Sequence, residues 1–321
     1  MKPEDKALRI GTAVILCAIL LRLFAGNLPG RVLEFLSRPQ VASAMVFMQT
    51  GRVIRFSEPT SPAVTEPETE PVSRIPITFQ PEDAALVQIA NASGCAVDVE
   101  ALLATPLDWD LSQQAPTVLI LHTHTTESYA DSCEKGSGYR STDETKNMLA
   151  IGDRVAQQLT DAGIGVIHDR QVHDYPSYNG AYNHSRSQAV KYLAEYPSIQ
   201  LVLDLHRDAI TDSSGKQMNT GVMLDGADTA QLMLVVGTNA GGLQHPQWKQ
   251  NMALAVKLQV LLAKVHPQLV RTISLRSQRF NQDLSPGALL VEVGTAGNSM
   301  DQALCAADRL AEAIIALSSG A

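Results

Sequence analysis

Six residues carry the chemistry legible in this chain: His122, His124 and Glu127 in the run HTHTTESY, His206 and Arg207 in HRDA, and Glu292 in LLVEVG. The first group follows the apolar, β-branched stretch TVLIL (117–121), the second follows IQLVLDL (199–205), and Glu292 lies inside a third such stretch. Three residues apart on a turn or the first turn of a helix, His124 and Glu127 can meet one ion. A distant His206 completes a set of two imidazoles and one carboxylate that suits Zn2+ and leaves one position open for water. Zinc lowers the pKa of such a water toward ~7, and a nearby carboxylate takes its proton during attack on a carbonyl. Glu292 is the candidate for that carboxylate, because apolar surroundings raise its pKa and make it a competent proton shuttle.

A histidine and glutamate three residues apart recur by chance in many chains, so the weight rests on convergence at one edge. His122 would share a face with His124 in extended backbone. Closer to the buried strand and without a carboxylate three residues on, it reads as a supporting residue. Asp204, on the face of His206, reads as orienting that ring. Asp143 and Glu144 precede a helix, where capping and dipole complementation are the default roles, and they are the rival source of a carboxylate ligand. His168, His173, His245 and His266 read as surface or structural groups.

The elements that must position these residues alternate. TVLIL, 165–167, IQLVLDL, 221–224, LMLVVG (232–237) and LLVEV (289–293) have the character of strands. Helical spacing marks 146–159, a helix beginning at 187–193, 248–264 and 301–316. Continuous rather than alternating apolar strands are buried on both faces, so the expected class is α/β: a twisted, mainly parallel sheet with helices on both faces. In such sheets ligands bind beyond the carboxyl ends of the strands, where the six residues fall.

Before the globular part, the apolar run IGTAVILCAILLRLFA (10–25) follows Lys2, Lys6 and Arg9 and is expected to be a retained membrane anchor (1–26), with a cleaved signal peptide or a buried helix as alternatives. Residues 27–76, rich in Pro and Glu in their second half, are expected to form a linker. Residues 77–115 would be an extension of the catalytic domain at 116–321. The catalytic domain is thus expected outside the cytoplasm, tied to the cell membrane by a single span. Lys plus Arg is 25 against 33 Asp plus Glu, a net charge of -8, which argues against nucleic acid as a partner. The four cysteines contain no CxxC pair, and a Cys95–Cys133 bridge stays open.

Several blocks, LILHTHTTESY, GYRSTDETKNMLAIGDRVAQQL, HDYPSYNGAY, VLDLHRDA and ALLVEVGTAGNS, together resemble the stage II sporulation protein P family from about Ile89 to the C-terminus. More distantly, the order of His, acidic helix start with Asn147, strand–His and LVEVG–Asn resembles zinc-dependent N-acetylmuramoyl-L-alanine amidases. The resemblance implies hydrolysis of peptidoglycan at the amide between N-acetylmuramic acid and L-alanine, with an added cross-link endopeptidase activity, during forespore engulfment. It implies His124 and His206 as zinc ligands, Glu292 as catalytic acid/base, and the membrane-bound sporulation proteins D and M as partners. In the wider amidases the carboxylate ligand starts the first helix, near Asp143; the local spacing favours Glu127. Arg207 replaces the small residue common there and is expected to bind a stem-peptide carboxylate or the muramyl lactate carbonyl. Tyr129, Tyr139 and Asn147 are expected to support the site, and 128–145 to face substrate. Two rival readings are a membrane-anchored zinc carboxypeptidase and a non-catalytic wall-binding adaptor.

Overall fold

The computed structural model describes residues 77–113 and 115–320, and the expected anchor and linker lie outside them. Among the described residues no helix is long and apolar enough to cross a membrane. The order is β1 (Ile89–Asn91), α1 (Val99–Ala104), β2 (Val118–Leu121), α2 (Met148–Asp161), β3 (Val166–His168), α3 (Ala181–Glu195) and β4 (Leu201–Asp208). Then come β5 (Gly221–Leu224), β6 (Ala227–Ala230), β7 (Leu232–Gly237), α4 (Trp248–Val265), β8 (Ile273–Arg276), β9 (Ala288–Thr295) and α5 (Met300–Ala316).

The described strands form a seven-stranded sheet in the order β1-β8-β7-β9-β4-β2-β3. Every neighbouring pair is parallel except β7 and β9, so the mainly parallel sheet consists of two blocks that run in opposite directions. The segment 221–224 is a strand, but not of this sheet. It pairs antiparallel with β6 across Asp225–Gly226, both at positive φ, the conformation a two-residue hairpin turn needs. Residues 77–113 supply the edge strand β1, which pairs with β8, and the helix α1, capped by the Asp98 carboxylate on Ala101 N at 3.0 Å. Cys95 and Cys133 are free thiols, so the bridge left open by the sequence is not formed.

Period-two alternation sorts the strand side chains into two layers. Val118, Ile120, Leu201, Leu203, Leu205 and Val291 enter the larger core with α2, α4 and α5. Leu119, Leu121 and Val202 enter a smaller one whose helical member is α3, through Ala189 and Leu193. Both faces are therefore covered, but unequally. The helix α5, which buries the small residues Ala303, Ala306, Ala307 and Ala311, packs against α2, and Arg154 ties the two by gripping Asp308 at 2.6 and 2.9 Å. A capping box of Ser299 and Gln302 starts α5, and Asn147 caps α2 by accepting from Leu149 N at 2.9 Å.

Two positions in this framework carry measurable consequences. Gly152 lies on α2 above a pair of imidazoles; a Cβ there would stand 2.3 Å from His168 Nε2 and 2.5 Å from His122 Nε2. Gly152→Ala should therefore cost ~1–3 kcal/mol by overpacking, seen as a melting temperature several degrees lower. Lys257, buried on α4, donates to Leu103 O at 2.6 Å and lies over the Phe79 ring. Burial pushes its pKa from 10.5 down to about 8. Between those two values the unfolded chain binds the proton and the folded chain does not, so stability rises with pH by up to about 1.4 kcal/mol per unit. Denaturant titrations from pH 7 to 10.5 should show this rising contribution in the native protein and lose it in Lys257→Met.

Candidate active site

Parallel pairing places the chemistry. In the β4–β9 ladder His206 is directly opposite Glu292, and in β2–β4 Leu121 is opposite Asp204, so the end of β2 and the chain after it arrive beside His206. A tight turn follows β2: Thr125 Oγ1 donates to His122 O at 2.8 Å and Glu127 N to His124 O at 3.0 Å. That turn brings Glu127 Oε2 to 3.5 Å from His206 Nδ1, while the rings of His124 and His206 meet edge to face at 5.3 Å. His124, Glu127, His206 and Glu292 thus gather at one place, as the strand ends imply.

On the other side of His206, Asp204 Oδ1 stands 2.9 Å from Nε2 without the alignment of a hydrogen bond. Asp204 is itself held by Thr123, whose N and Oγ1 donate to it at 2.8 and 2.6 Å, which fits the orienting role expected of it. Burial works to neutralise His206, but Asp204 and then Glu127 outweigh it and hold its pKa well above the usual imidazole value. For His124 burial wins, aided by His206, and its pKa falls. Burial alone would raise Glu127; His206 and Arg207 reverse this and hold it below the usual carboxylate range. For Glu292 burial prevails over the lowering by the same two cations, His206 and Arg207. Burial first, then the neighbouring Glu127 and Asp208 charges, raise it well above that range, and its Oε2 is buried without a partner.

The remaining expected residues occupy other places. His122 is fully buried and turned away into a pair with His168 (Nε2 to Nε2, 2.8 Å), its Nδ1 facing Leu205 O at 3.1 Å. Asp143 closes a surface turn with Thr145 and pairs with Lys146 at 3.3 Å, and Glu144 pairs with Arg170 at 2.6 Å. Neither carboxylate of this rival source is engaged with the imidazoles. Asn147 caps α2 and donates to Ser141 O at 3.1 Å. Tyr129 lies in the core, its hydroxyl on Val293 O at 2.8 Å.

Arg207, expected to bind substrate, is only 7% exposed. Its Nε donates to Ser128 O at 3.0 Å, Nη2 to Tyr139 O at 2.8 Å and Nη1 to Glu127 Oε1 at 3.5 Å, while its backbone N donates to Glu127 Oε2 at 3.2 Å. The guanidinium is spent on fixing the 127–139 segment, which runs counter to a direct role on substrate.

Residues that sequence reasoning did not single out complete the cluster. Tyr178, 54% exposed, stacks on His124 at 4.4 Å with 4° between the rings, and Tyr182 meets the same imidazole edge-on at 5.6 Å. Asp174 accepts from Thr126 N and Oγ1 at 3.0 and 2.8 Å and from Arg140 Nη1 at 2.5 Å, with its Oδ2 3.9 Å from His124 Nδ1. Arg140 also lies over the Tyr178 ring at 4.8 Å. All but Arg140 come from HDYPSYNGAY, one of the blocks that carry the family resemblance but one in which no residue was assigned a role at the site.

Among the described residues, no His, Cys, Asp and Glu side chains stand already gathered in the arrangement of a metal centre. The donor set nevertheless suits one by type, two imidazoles and a carboxylate, with His206 Nδ1 turned toward Glu127 and its Nε2 toward Asp204, and with His124 Nδ1 buried and lacking a hydrogen-bond partner.

The stage II sporulation protein P (SpoIIP) family model matches residues 57–315. The chain belongs to this family. Stage II sporulation protein P of Bacillus subtilis (strain 168) is 28% identical over 207 residues, which cover 61% of this chain and 49% of that protein, so the match spans about half the length of the relative. The chain is also similar to the N-acetylmuramyl-L-alanine amidase Ami1 of Mycobacterium smegmatis (15% identity, 64% of this chain and 95% of that one, TM-score 0.38). A like match is the N-acetylmuramoyl-L-alanine amidase of Clostridium difficile 630 (17% identity, 63% and 94%, TM-score 0.37).

In this SpoIIP family member, Arg207→Ala would leave Glu127 buried beside one cation fewer. Removing one partner of a buried pair costs ~3–5 kcal/mol. Denaturant unfolding should show that loss; a variant of native stability with weakened substrate affinity alone would instead return Arg207 to the binding surface.

Proposed function

We propose that this chain is a zinc-dependent peptidoglycan hydrolase that cleaves the amide between N-acetylmuramic acid and L-alanine, with cross-link cleavage as an accompanying activity, during forespore engulfment. The observation that carries the reading is the meeting of His124, Glu127 and His206 beside Glu292, whose carboxyl is raised and unpartnered. Membership of the sporulation family supports the biological setting.

His124, Glu127 and His206 would hold the zinc, with Asp204 orienting His206. When bound there, zinc supplies Lewis acidity, polarising a carbonyl and acidifying a water. Glu292 does the proton work. A carboxyl raised toward the working pH accepts a proton from the attacking water and returns it to the departing amine, so the carboxylate is regenerated. Tyr178 and Tyr182 fix the plane of His124, and Arg207 keeps Glu127 ionised and in place. The reading also assigns an anchor at 1–26, a catalytic domain outside the cytoplasm, and the sporulation proteins D and M as partners.

Full-length protein incubated with purified peptidoglycan should release stem peptides bearing a new L-alanine amine, identified by mass. Chelator should abolish release and added zinc restore it. Glu292→Gln should lower kcat by ~10²–10⁴-fold at an unchanged melting temperature. Loss of only the C-terminal residue of stem peptides would point to a carboxypeptidase. Wall binding without any product, with the sporulation proteins D and M present, would point to an adaptor.

A further inference from the structure

Tyr182 belongs to two places at once. Its ring borders the two imidazoles, 5.6 Å from His124 and 6.5 Å from His206 between centroids. It also lines a cavity of about 420 Å³ between the start of α3 and the loops that follow β7 and β8. That volume falls within the ~300–1,000 Å³ of small-ligand sites. A larger cavity of about 610 Å³ lies between α1 and the start of α4, and none of the clustered residues lines it.

The second aromatic of the cavity is Phe280, whose ring is tilted 50° to Tyr182 at 6.1 Å. Neither ring packs into either apolar core. Phe280 and Asn281 both hold positive φ, 50° and 59°, a strained conformation for a phenylalanine that persists only where its surroundings impose it. Here they do. Asn281 Nδ2 donates to Tyr182 O at 2.8 Å, Arg186 grips Asp283 at 2.8 and 2.7 Å, and Gln282 donates to Val235 O and accepts from Gly237 N. The chain holds an aromatic ring in a strained loop, outside the cores, at the wall of a cavity that shares Tyr182 with the catalytic cluster.

The wall chemistry selects the ligand. Two tilted rings offer flat apolar surfaces, and Asn183 and Gln278 offer amide donors and acceptors, the Asn281 amide being engaged with Tyr182 O. The one charged side chain in the lining, Arg279, is already paired with Asp283 at 3.3 Å. Such a cavity suits a neutral ligand with a flat C–H face and a rim of hydroxyl and acetamide groups. We propose that this groove is the subsite for the N-acetylated sugar strand of the substrate, and that Phe280 is its specificity-determining residue. The assignment rests on the hydrolase reading above, in which the scissile amide joins a sugar to a peptide.

The test titrates full-length protein with a peptide-free tetramer of β-1,4-linked N-acetylglucosamine in a calorimeter, so that binding is read without hydrolysis. The native protein should bind, and Phe280→Ala and Leu243→Arg should each weaken binding at least tenfold. Leu243 lines the same groove and is 58% exposed, so its replacement should leave the melting temperature unchanged and serves if Phe280→Ala perturbs the fold. With peptidoglycan, Leu243→Arg should raise KM and leave kcat near its native value. No tetramer binding to native protein, or binding that neither variant alters, overturns the proposal. So does a stem peptide that binds in place of the sugar and is displaced by Leu243→Arg. Tetramer binding that depends on both residues, in a protein that releases no wall product, overturns the hydrolase reading and leaves the sugar site standing.

Discussion

A buried imidazole set between two carboxylates is the arrangement on which the site depends. Taking ionisable groups out of water is costly unless charge is balanced and the remaining hydrogen-bonding groups are satisfied. Around His206 the balance is made locally, with Asp204 on Nε2 and Glu127 on Nδ1. Each carboxylate needs support of its own. Thr123 supplies it to Asp204 through two hydrogen bonds, and Arg207 supplies it to Glu127. Arg207 has donors left over, and these tie Ser128 and Tyr139, so the path of the 127–139 loop is a by-product of neutralising Glu127. Glu292, directly opposite His206 in the ladder, feels that imidazole too, but burial and the nearby charges of Glu127 and Asp208 outweigh it, and its proton affinity rises.

How much of this was legible depends on whether the determining contacts are local. TVLIL, IQLVLDL and LLVEV read as strands because both their faces are buried, and the strand ends then placed His124, His206 and Glu292 together. Glu127 was legible because a three-residue spacing is set within one turn. The strand β8 was not: ISLR leaves Ser274 half-buried and Arg276 exposed, so it lacks a continuous apolar signature. The helix α3 starts at Ala181, earlier than its apolar spacing suggests, because the left-handed Gly180 that opens it leaves no periodic trace.

Arg207 shows a subtler limit. Residue type suggested a substrate contact, whereas alternation along a strand already turns it away from the face of its neighbour His206. The register then shifts between His206 and Asp208, and that irregularity presents Arg207 N to Glu127. Asp174, Tyr178 and Tyr182 were out of reach for another reason. They arrive on a loop and a helix start 50 to 58 residues beyond His124 in sequence, and only the folded chain lays them against its ring.

The antiparallel junction between β7 and β9 divides the labour within the sheet. His124, His206 and Glu292 all depend on strands of the block β9-β4-β2-β3, whose mutual register sets their spacing. The loops after β7 and β8 leave the other block, which runs the opposite way. Insertions or exchanges in those loops can reshape the wall of the neighbouring groove without moving a single rung of the ladder that aligns His206 with Glu292. Recognition and reactivity can therefore diverge independently among relatives, the one drifting with loop length while the other stays pinned by strand register.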